Sequence, residues 1–359
     1  MEKLLKVQNL SIGICNSDKW PNGAGRSNVN QSNISRSNTN RSSPEKNAAL
    51  DQKQLLSSVE DISFDISPGE ILGIVGESGS GKSLTALAIA SLLGENKFIT
   101  GGSIYFAGRG NLLTLSEKEL QEIRGKEISM VFQEPFSSLN PLVKAGAQIM
   151  ETLELHGERD KKLNREKVIE LLEKLKFDQC EKIMDTYPHR LSGGMCQRIM
   201  IALALICKPA LLIADEPTTA LDQKTQTQII TLLKEINRDF GTSILFISHD
   251  LDLIRNFCDR LIVMYSGRIL EEGETGEIFS SPAHEYTRGL LGSMPGRANR
   301  GKPLANIPGN IPSLEEGRPR GCPFNPRCRK AGPLCMGEFP PERKLSLTHK
   351  TRCVLEGKD

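Results

Sequence analysis

Long hydrophobic runs are missing from this chain. The longest apolar stretch, Ile199 to Cys207, stops at Lys208-Pro209, far short of the ~20 residues a membrane span needs. The start, "MEKLLKVQNL", lacks the apolar segment and small-residue cleavage site of an export signal. These two absences place the protein in the cytosol, with any membrane role exercised through partners. An excess of one charge sign is also missing. Forty-six Lys and Arg stand against 44 Asp and Glu, a net +2, so nothing attracts nucleic acid in general. The short basic group Lys161, Lys162 and Arg165 sits among acids and reads as a solvated helix face.

What is present is ordinary for a globular protein. The 359 residues are 38% hydrophobic and 25% charged, enough for about two domains of roughly 150 residues each. Residues 3–14 alternate as a strand. "NGAGRSNVNQSNISRSNTNRSSP" then offers almost nothing to bury, so residues 15–52 read as a disordered insertion in a surface hairpin loop. "SSVEDISFDISPGE" resumes the strand pattern. From Glu70 onward, short apolar strands ("ILGIVG", "ISMVFQEP", "ALLIADEP", "SILFISHD") alternate with helical stretches ("KSLTALAIASLL", "REKVIELLEKLKF", "QTQIITLLKEINRDF"). That alternation predicts an α/β fold with a mainly parallel sheet and ligands at its carboxyl edge. After Tyr286 the chain turns proline-rich with little periodicity.

"GESGSGKS", Gly76 to Ser83, follows a strand and opens a helix, the context a phosphate-binding P-loop requires. Its residues Gly76, Glu77, Ser78, Gly79, Ser80, Gly81, Lys82 and Ser83 form the candidate phosphate site. The glycines let backbone N–H groups turn inward, Lys82 adds a cation, and Ser83 can ligate Mg²⁺. "LLIADE" places Asp215 at a buried strand's tip as a second magnesium residue, and Glu216 beside it as the base that activates water. Gln133 and His249 end further strands. Gln133 can touch both Mg²⁺ and the attacking water, and His249 joins it and Glu216 as a catalytic candidate.

These motifs in this order resemble the nucleotide-binding subunits of ABC transporters, over roughly Leu4 to Gly273. "HRLSGGMCQR" carries the most specific part. Its Ser192, Gly193, Gly194 and Gln197 resemble the ABC signature sequence. The resemblance implies a P-loop NTPase: a RecA-like core, an antiparallel β subdomain and a helical subdomain over residues 134–195, together filling residues 1–280. It also implies two ATPase subunits stacked head to tail, each signature gripping the partner's ATP, with Asp222 of the "TTALD" D-loop at their interface. The family places an aromatic ring under adenine near the end of the first strand. Ile14 stands there, and Trp20 just beyond is a substitute, so the stacking residue is left open.

"SPAHEYTRGLLGSMP" and "GCPFNPRCRKAGPLC" resemble the C-terminal extension of oligopeptide and dipeptide importer ATPases, a group shared with nickel and some sugar-oligomer importers. The extension is expected over residues 281–359, small, irregular and cysteine-bearing. Of nine cysteines, Cys15, Cys180, Cys196, Cys207 and Cys258 are scattered and read mostly as buried small hydrophobes. Cys322, Cys328, Cys335 and Cys353 are separated by five, six and seventeen residues. Structural zinc prefers tighter pairs, and the wider gaps suit a 4Fe–4S cluster, in agreement with the resemblance. Zinc and plain thiols remain as alternatives.

The resemblance implies ATP and Mg²⁺ as ligands. It also implies a second ABC ATPase subunit as heterodimer partner, two membrane permease subunits and an extracytoplasmic solute-binding protein. No nucleic acid is expected. The chain is then a peripheral protein on the cytoplasmic face of the cell membrane, hydrolysing ATP for peptide uptake. Soluble ABC-type ATPases of DNA repair and chromosome maintenance are the contrasting class, but they carry long coiled-coil insertions and no heptad run occurs here. A non-hydrolysing regulatory subunit is opposed by Glu216.

Overall fold

The computed structural model describes residues 2–15, 55–219, 221–294 and 306–355. The insertion expected at 15–52 lies outside the described residues except for Cys15, as does Trp20. The strands on either side of it, β1 (Leu5–Cys15) and β2 (Leu55–Ile66), pair antiparallel from Leu5↔Ile66 to Cys15↔Leu55. Leu5, Val7, Leu10 and Ile12 of β1 are buried. The pairing slips near Asn9, where Asn9 and Asp61 both take positive φ and Asn9 Nδ2 donates to Asp61 Oδ1 at 2.7 Å, a bulge that adds twist.

Next come β3 (Ile71–Val75), α1 (Lys82–Ile89), β4 (Lys97–Phe106) and β5 (Gly110–Asn111). One sheet runs β2-β1-β4-β5. The chain then forms α2 (Glu117–Ile123), β6 (Ile128–Val131) and the short α3 (Pro135–Ser138). A helical group follows: α4 (Ala145–Leu155), α5 (Lys161–Lys174), α6 (Cys180–Met184) and α7 (Gly193–Leu205). Ile149, Leu153, Val168, Leu172, Met184 and Ile199 pack its interior. The contact of α4 with α6 needs Gly146, where a Cβ would lie 2.7 Å from Met184 Cβ.

β7 (Leu211–Asp215) leads to α8 (Gln223–Phe240), then β8 (Ser243–Ile247), α9 (Leu251–Phe257), β9 (Arg260–Tyr265) and β10 (Arg268–Glu274). Asp222 caps α8 by accepting from Thr225 N, and Gly241 ends it at φ 67°. Ile229, Leu232, Leu233 and Ile236 form its buried stripe at helical spacing. β3, β7 and β8 are buried at every position, because α7, α8 and α9 cover one face of the parallel sheet, and α1 with the four-stranded sheet covers the other.

After α10 (Thr275–Ser280) and α11 (Glu285–Gly292), two short strands close the chain, β11 (Arg343–Lys344) and β12 (Lys350–Thr351). The second sheet runs β11-β12-β10-β9-β3-β8-β7-β6. Its five strands from β9 to β6 are parallel, and β10, β12 and β11 add antiparallel at one edge. Residues 306–355 therefore pack onto this sheet, and Cys322, Phe324 and Cys335 join the same buried cluster as β7 and β8. Buried Glu271 of β10 ties the region together. It accepts from the backbone of Ala283 at 2.7 Å and of His284 at 2.9 Å, and meets His349 Nε2 at 2.7 Å. Among the described residues, no helix is long and apolar enough to cross a membrane.

Candidate nucleotide site

Parallel register sets the site. Ile247 of β8 pairs with Ile74 of β3 and Asp215 of β7, so the chain leaves all three strands at one edge. There Gly76 to Ser83 curls through positive φ at Gly76, Gly79 and Gly81. Gly76 has no substitute, since a Cβ would sit 2.1 Å from the Met264 carbonyl oxygen. Lys82 Nζ reaches back across the loop to the carbonyls of Gly76 at 2.8 Å and Glu77 at 3.0 Å. Burial lowers the Lys82 pKa, while Glu216, Asp215 and Glu77 pull it back up.

Ser83 Oγ donates to Asp215 Oδ1 at 3.0 Å. Burial raises the Asp215 pKa, opposed by the Ser83 hydrogen bond and by Lys82, with Glu216 adding to the rise. A hydroxyl beside a buried carboxylate is an oxygen donor set that fits Mg²⁺, and the cation's charge would favour ionised Asp215. Glu77 holds the loop from its outer side. Its N–H donates to the Tyr286 hydroxyl at 2.9 Å, and its carboxylate meets Arg327 Nη1 at 2.9 and 3.0 Å. That N–H is therefore engaged away from any phosphate, which separates Glu77 from the rest of the expected cradle.

Glu216 follows Asp215 with φ 49°, a left-handed conformation that costs a non-glycine residue of order 1–3 kcal/mol. Its N–H donates to the Ile247 carbonyl at 2.9 Å. Three groups converge on its Oε2: Thr219 Oγ1 at 2.9 Å, Gln133 Nε2 at 3.2 Å and His249 Nδ1 at 3.2 Å. The carboxylate is 17% exposed and His249 64% exposed, so it is aimed and held yet open to solvent, as a base acting on water requires. The structure thus gathers Lys82, Ser83, Asp215, Glu216, Gln133 and His249 at one edge. The Thr219 bond to Glu216 has no signal in the sequence beyond its place in "TTALD". Half-buried Ile14 stands on β1, paired with Leu56 and Lys97.

Ser192 caps α7 by accepting from Met195 N at 3.3 Å. It is exposed, and Gly193 and Gly194 are half-buried, so the start of α7 offers N–H groups at the surface. Gln197, expected with them, is corrected by its burial: at 1% exposure it cannot meet another chain's nucleotide from this position. Gly194 abuts Thr225 of α8, whose Cγ2 would be 2.7 Å from an added Cβ. Thr225 Oγ1 in turn donates to Asp222 Oδ2 at 2.6 Å. Signature and D-loop residues are therefore neighbours through a contact that no local motif announces.

Cys322, Cys328, Cys335 and Cys353 line one small cavity of about 10 Å³ beside His284, whose Nε2 lies 3.6 Å from Cys322 Sγ. Burial pushes the Cys322 thiol up to about 12 and depresses His284 to about 4. The four thiols are the donor chemistry of an iron–sulfur cluster. Among the described residues, however, no group of three or more His, Cys, Asp or Glu side chains is placed to hold a metal ion. Side-chain placement by itself gives the expected cluster no support.

Comparison with known proteins adds independent findings. Residues 59–219 match the family described as "ABC transporter", and residues 270–335 the one described as "Oligopeptide/dipeptide transporter, C-terminal region". The chain is 48% identical over 287 residues to the oligopeptide transport ATP-binding protein OppD of Salmonella typhimurium, covering 80% of this chain and 85% of that protein. It is 45% identical over 309 residues to the oligopeptide transport ATP-binding protein AppD of Bacillus subtilis, covering 85% and 92%. Among solved structures, the dimeric post-hydrolysis ATP-binding cassette MJ0796, bound to ADP and Pi, aligns with a TM-score of 0.58. That alignment is 26% identical and covers 76% of this chain and 98% of that one.

Proposed function

We propose, from the premise that this chain belongs to the ABC transporter ATP-binding family, that it is the ATP-hydrolysing subunit of an oligopeptide importer. The carrying observation is the gathering of Lys82, Ser83, Asp215 and Glu216 at one sheet edge with an exposed Ser192 on the helical side. The peptide substrate class rests on likeness to OppD and AppD over most of their lengths and on the match of residues 270–335. Nickel and oligosaccharide importers of the same group are the alternatives.

In this reading, the N–H groups of Gly76 and of Ser78 to Ser83, with the Lys82 ammonium, hold the phosphates, while the Glu77 N–H stays on Tyr286. Ser83, Asp215 and Gln133 would hold Mg²⁺, which when bound would supply charge neutralisation at the phosphates. Glu216 takes the proton of the attacking water. Gln133, Thr219 and His249 hold its carboxylate in place, and His249 stabilises the charge that moves. Ser192, Gly193 and Gly194 complete the site of a second ATPase subunit, with Asp222 at the shared interface; the dimeric relative MJ0796 supports that assembly. The engine sits against membrane permease subunits on the cytoplasmic face of the membrane, supplied by an extracytoplasmic solute-binding protein. Residues 1–280 serve as the nucleotide-binding domain, 134–195 as its helical subdomain and 281–359 as the extension.

The four thiols are proposed to hold a 4Fe–4S cluster, which when bound would staple this proline-rich segment. Iron and acid-labile sulfide in anaerobically purified protein test this; their absence assigns the cysteines to zinc or plain thiols. The importer reading is tested by co-expression with the permeases and by ATP-driven uptake into proteoliposomes. Uptake of labelled oligopeptide is expected. Uptake of nickel instead moves the substrate, and failure to associate with any permease overturns the importer assignment.

A further inference from the structure

We propose that Arg327 is a positioning residue for ATP binding, through which the cysteine-bearing extension clamps the P-loop. Arg327 sits just before Cys328 in sequence, yet its side chain is 6% exposed and reaches Glu77, the second residue of the loop. Nη1 contacts both carboxylate oxygens, at 3.0 and 2.9 Å, and the Tyr265 hydroxyl at 3.3 Å. Nε donates to the Pro308 carbonyl at 2.7 Å, and the guanidinium lies 5.7 Å from the Tyr265 ring centre and 5.9 Å from that of Phe324. Charge, hydrogen bonds and two aromatic faces together fix its orientation, which an ammonium could not reproduce.

Glu77 is held at three points from three parts of the chain. Tyr286 of α11 takes its N–H at 2.9 Å, Lys82 takes its carbonyl at 3.0 Å, and Arg327 takes its carboxylate. Tyr286 is fully buried, edge-on to Tyr265 at 4.7 Å and 5.3 Å from Phe324, so these anchors share one packed group. The base of Arg327 is fixed as well. Cys322 N donates to the Cys335 carbonyl at 2.9 Å, and Asn325 Nδ2 donates to the Arg320 carbonyl at 2.8 Å. A carboxylate in a phosphate loop repels its ligand unless neutralised. Arg327 both neutralises Glu77 and turns it outward, leaving the inward N–H groups and Lys82 for phosphate.

The inference rests on the nucleotide-binding reading of the P-loop. It is tested in the assembled ATPase by equilibrium binding of a fluorescent ATP analogue and by steady-state hydrolysis. Arg327→Ala is expected to raise the analogue Kd and the ATP KM about tenfold, while kcat falls less than about threefold. Adding Glu77→Gln to Arg327→Ala removes the stranded charge and is expected to recover most of that affinity. Tyr286→Phe keeps the ring and deletes one hydroxyl, so it folds where Arg327→Ala fails. It is expected to weaken binding several-fold with the same split between KM and kcat. Unchanged affinity in both Arg327→Ala and Tyr286→Phe overturns the clamp. So does loss in Arg327→Ala that Glu77→Gln leaves unrepaired, which marks Arg327 as merely structural. Failure of the wild-type protein to bind the analogue sinks the nucleotide-site reading instead.

Discussion

Replacing Glu216 by Gln isolates proton acceptance from everything else the residue does. The substitution keeps side-chain length and the backbone at φ 49°. Three donors converge on one oxygen of the carboxylate, from Thr219, Gln133 and His249 at 2.9–3.2 Å. The Gln carbonyl oxygen can occupy that same position and accept from all three, with its amide nitrogen turned to the open side. The cost is the charge assistance of those bonds, about 1 kcal/mol each at most, and loss of repulsion toward Asp215 offsets part of it. Stability therefore changes little. Turnover changes greatly, because an amide does not take a proton from water. Removing a general base lowers kcat by roughly 10²–10⁴-fold, which is about 3–5 kcal/mol of barrier at ~1.36 kcal/mol per decade. Phosphate release by the assembled complex, measured beside nucleotide binding, should show kcat down and affinity kept. A kcat within about threefold of the parent, with binding intact, would remove Glu216 from the role of base and refute the reasoning from its three donors.

Lys82→Ala should weaken ATP binding itself by about tenfold to a hundredfold, the worth of a charged hydrogen bond to phosphate; titration with the fluorescent analogue checks this, and unchanged affinity contradicts the P-loop assignment. Gly194→Ala drives a Cβ to 2.7 Å from Thr225 Cγ2, an overpacking of about 1–3 kcal/mol. A lowered melting temperature is expected, largely recovered when Thr225→Ser removes the clashing methyl; no change in melting temperature argues against the α7–α8 contact. Burial alone would raise the Glu271 pKa, but His349 and the N–H groups of Ala283 and His284 outweigh it and hold the value below the ordinary one. A depressed carboxylate stabilises above its unfolded pKa, about 4.3, and loses that contribution as pH falls through the folded value. Glu271→Gln should therefore be less stable than the parent at neutral pH, with the gap closing below about pH 4.3; denaturant melts showing a constant gap would mean that Glu271 is not ionised in the fold.

Much of the nucleotide site was legible because its determinants are local. "GESGSGKS" specifies its own curl through glycines, and "LLIADE" announces a buried strand with acids at its tip. The alternation of β1 and β2 marked a hairpin despite the intervening segment. Gln197 shows the limit of such reading: it belongs to the signature by spacing, but packing of α7 carries it under the surface. Thr219 shows another, since its hydroxyl meets Glu216 only because the loop after β7 turns back on itself.

The sequence by itself determined which short stretches are strands, helices and phosphate loops, since periodicity, glycine placement and capping act within a few residues. Only the tertiary structure decided which distant segments meet. Arg327 and Glu77 are 250 positions apart, and their pairing depends on the extension folding back over α11 and β9. Thr225 lies under Gly194 because two helix starts converge, and β12 joins β10 at the sheet edge because an unpaired strand there offers hydrogen bonds to whatever chain returns. Such meetings are settled by the packing of the whole molecule, where a contact becomes favourable only after every intervening element has found its place.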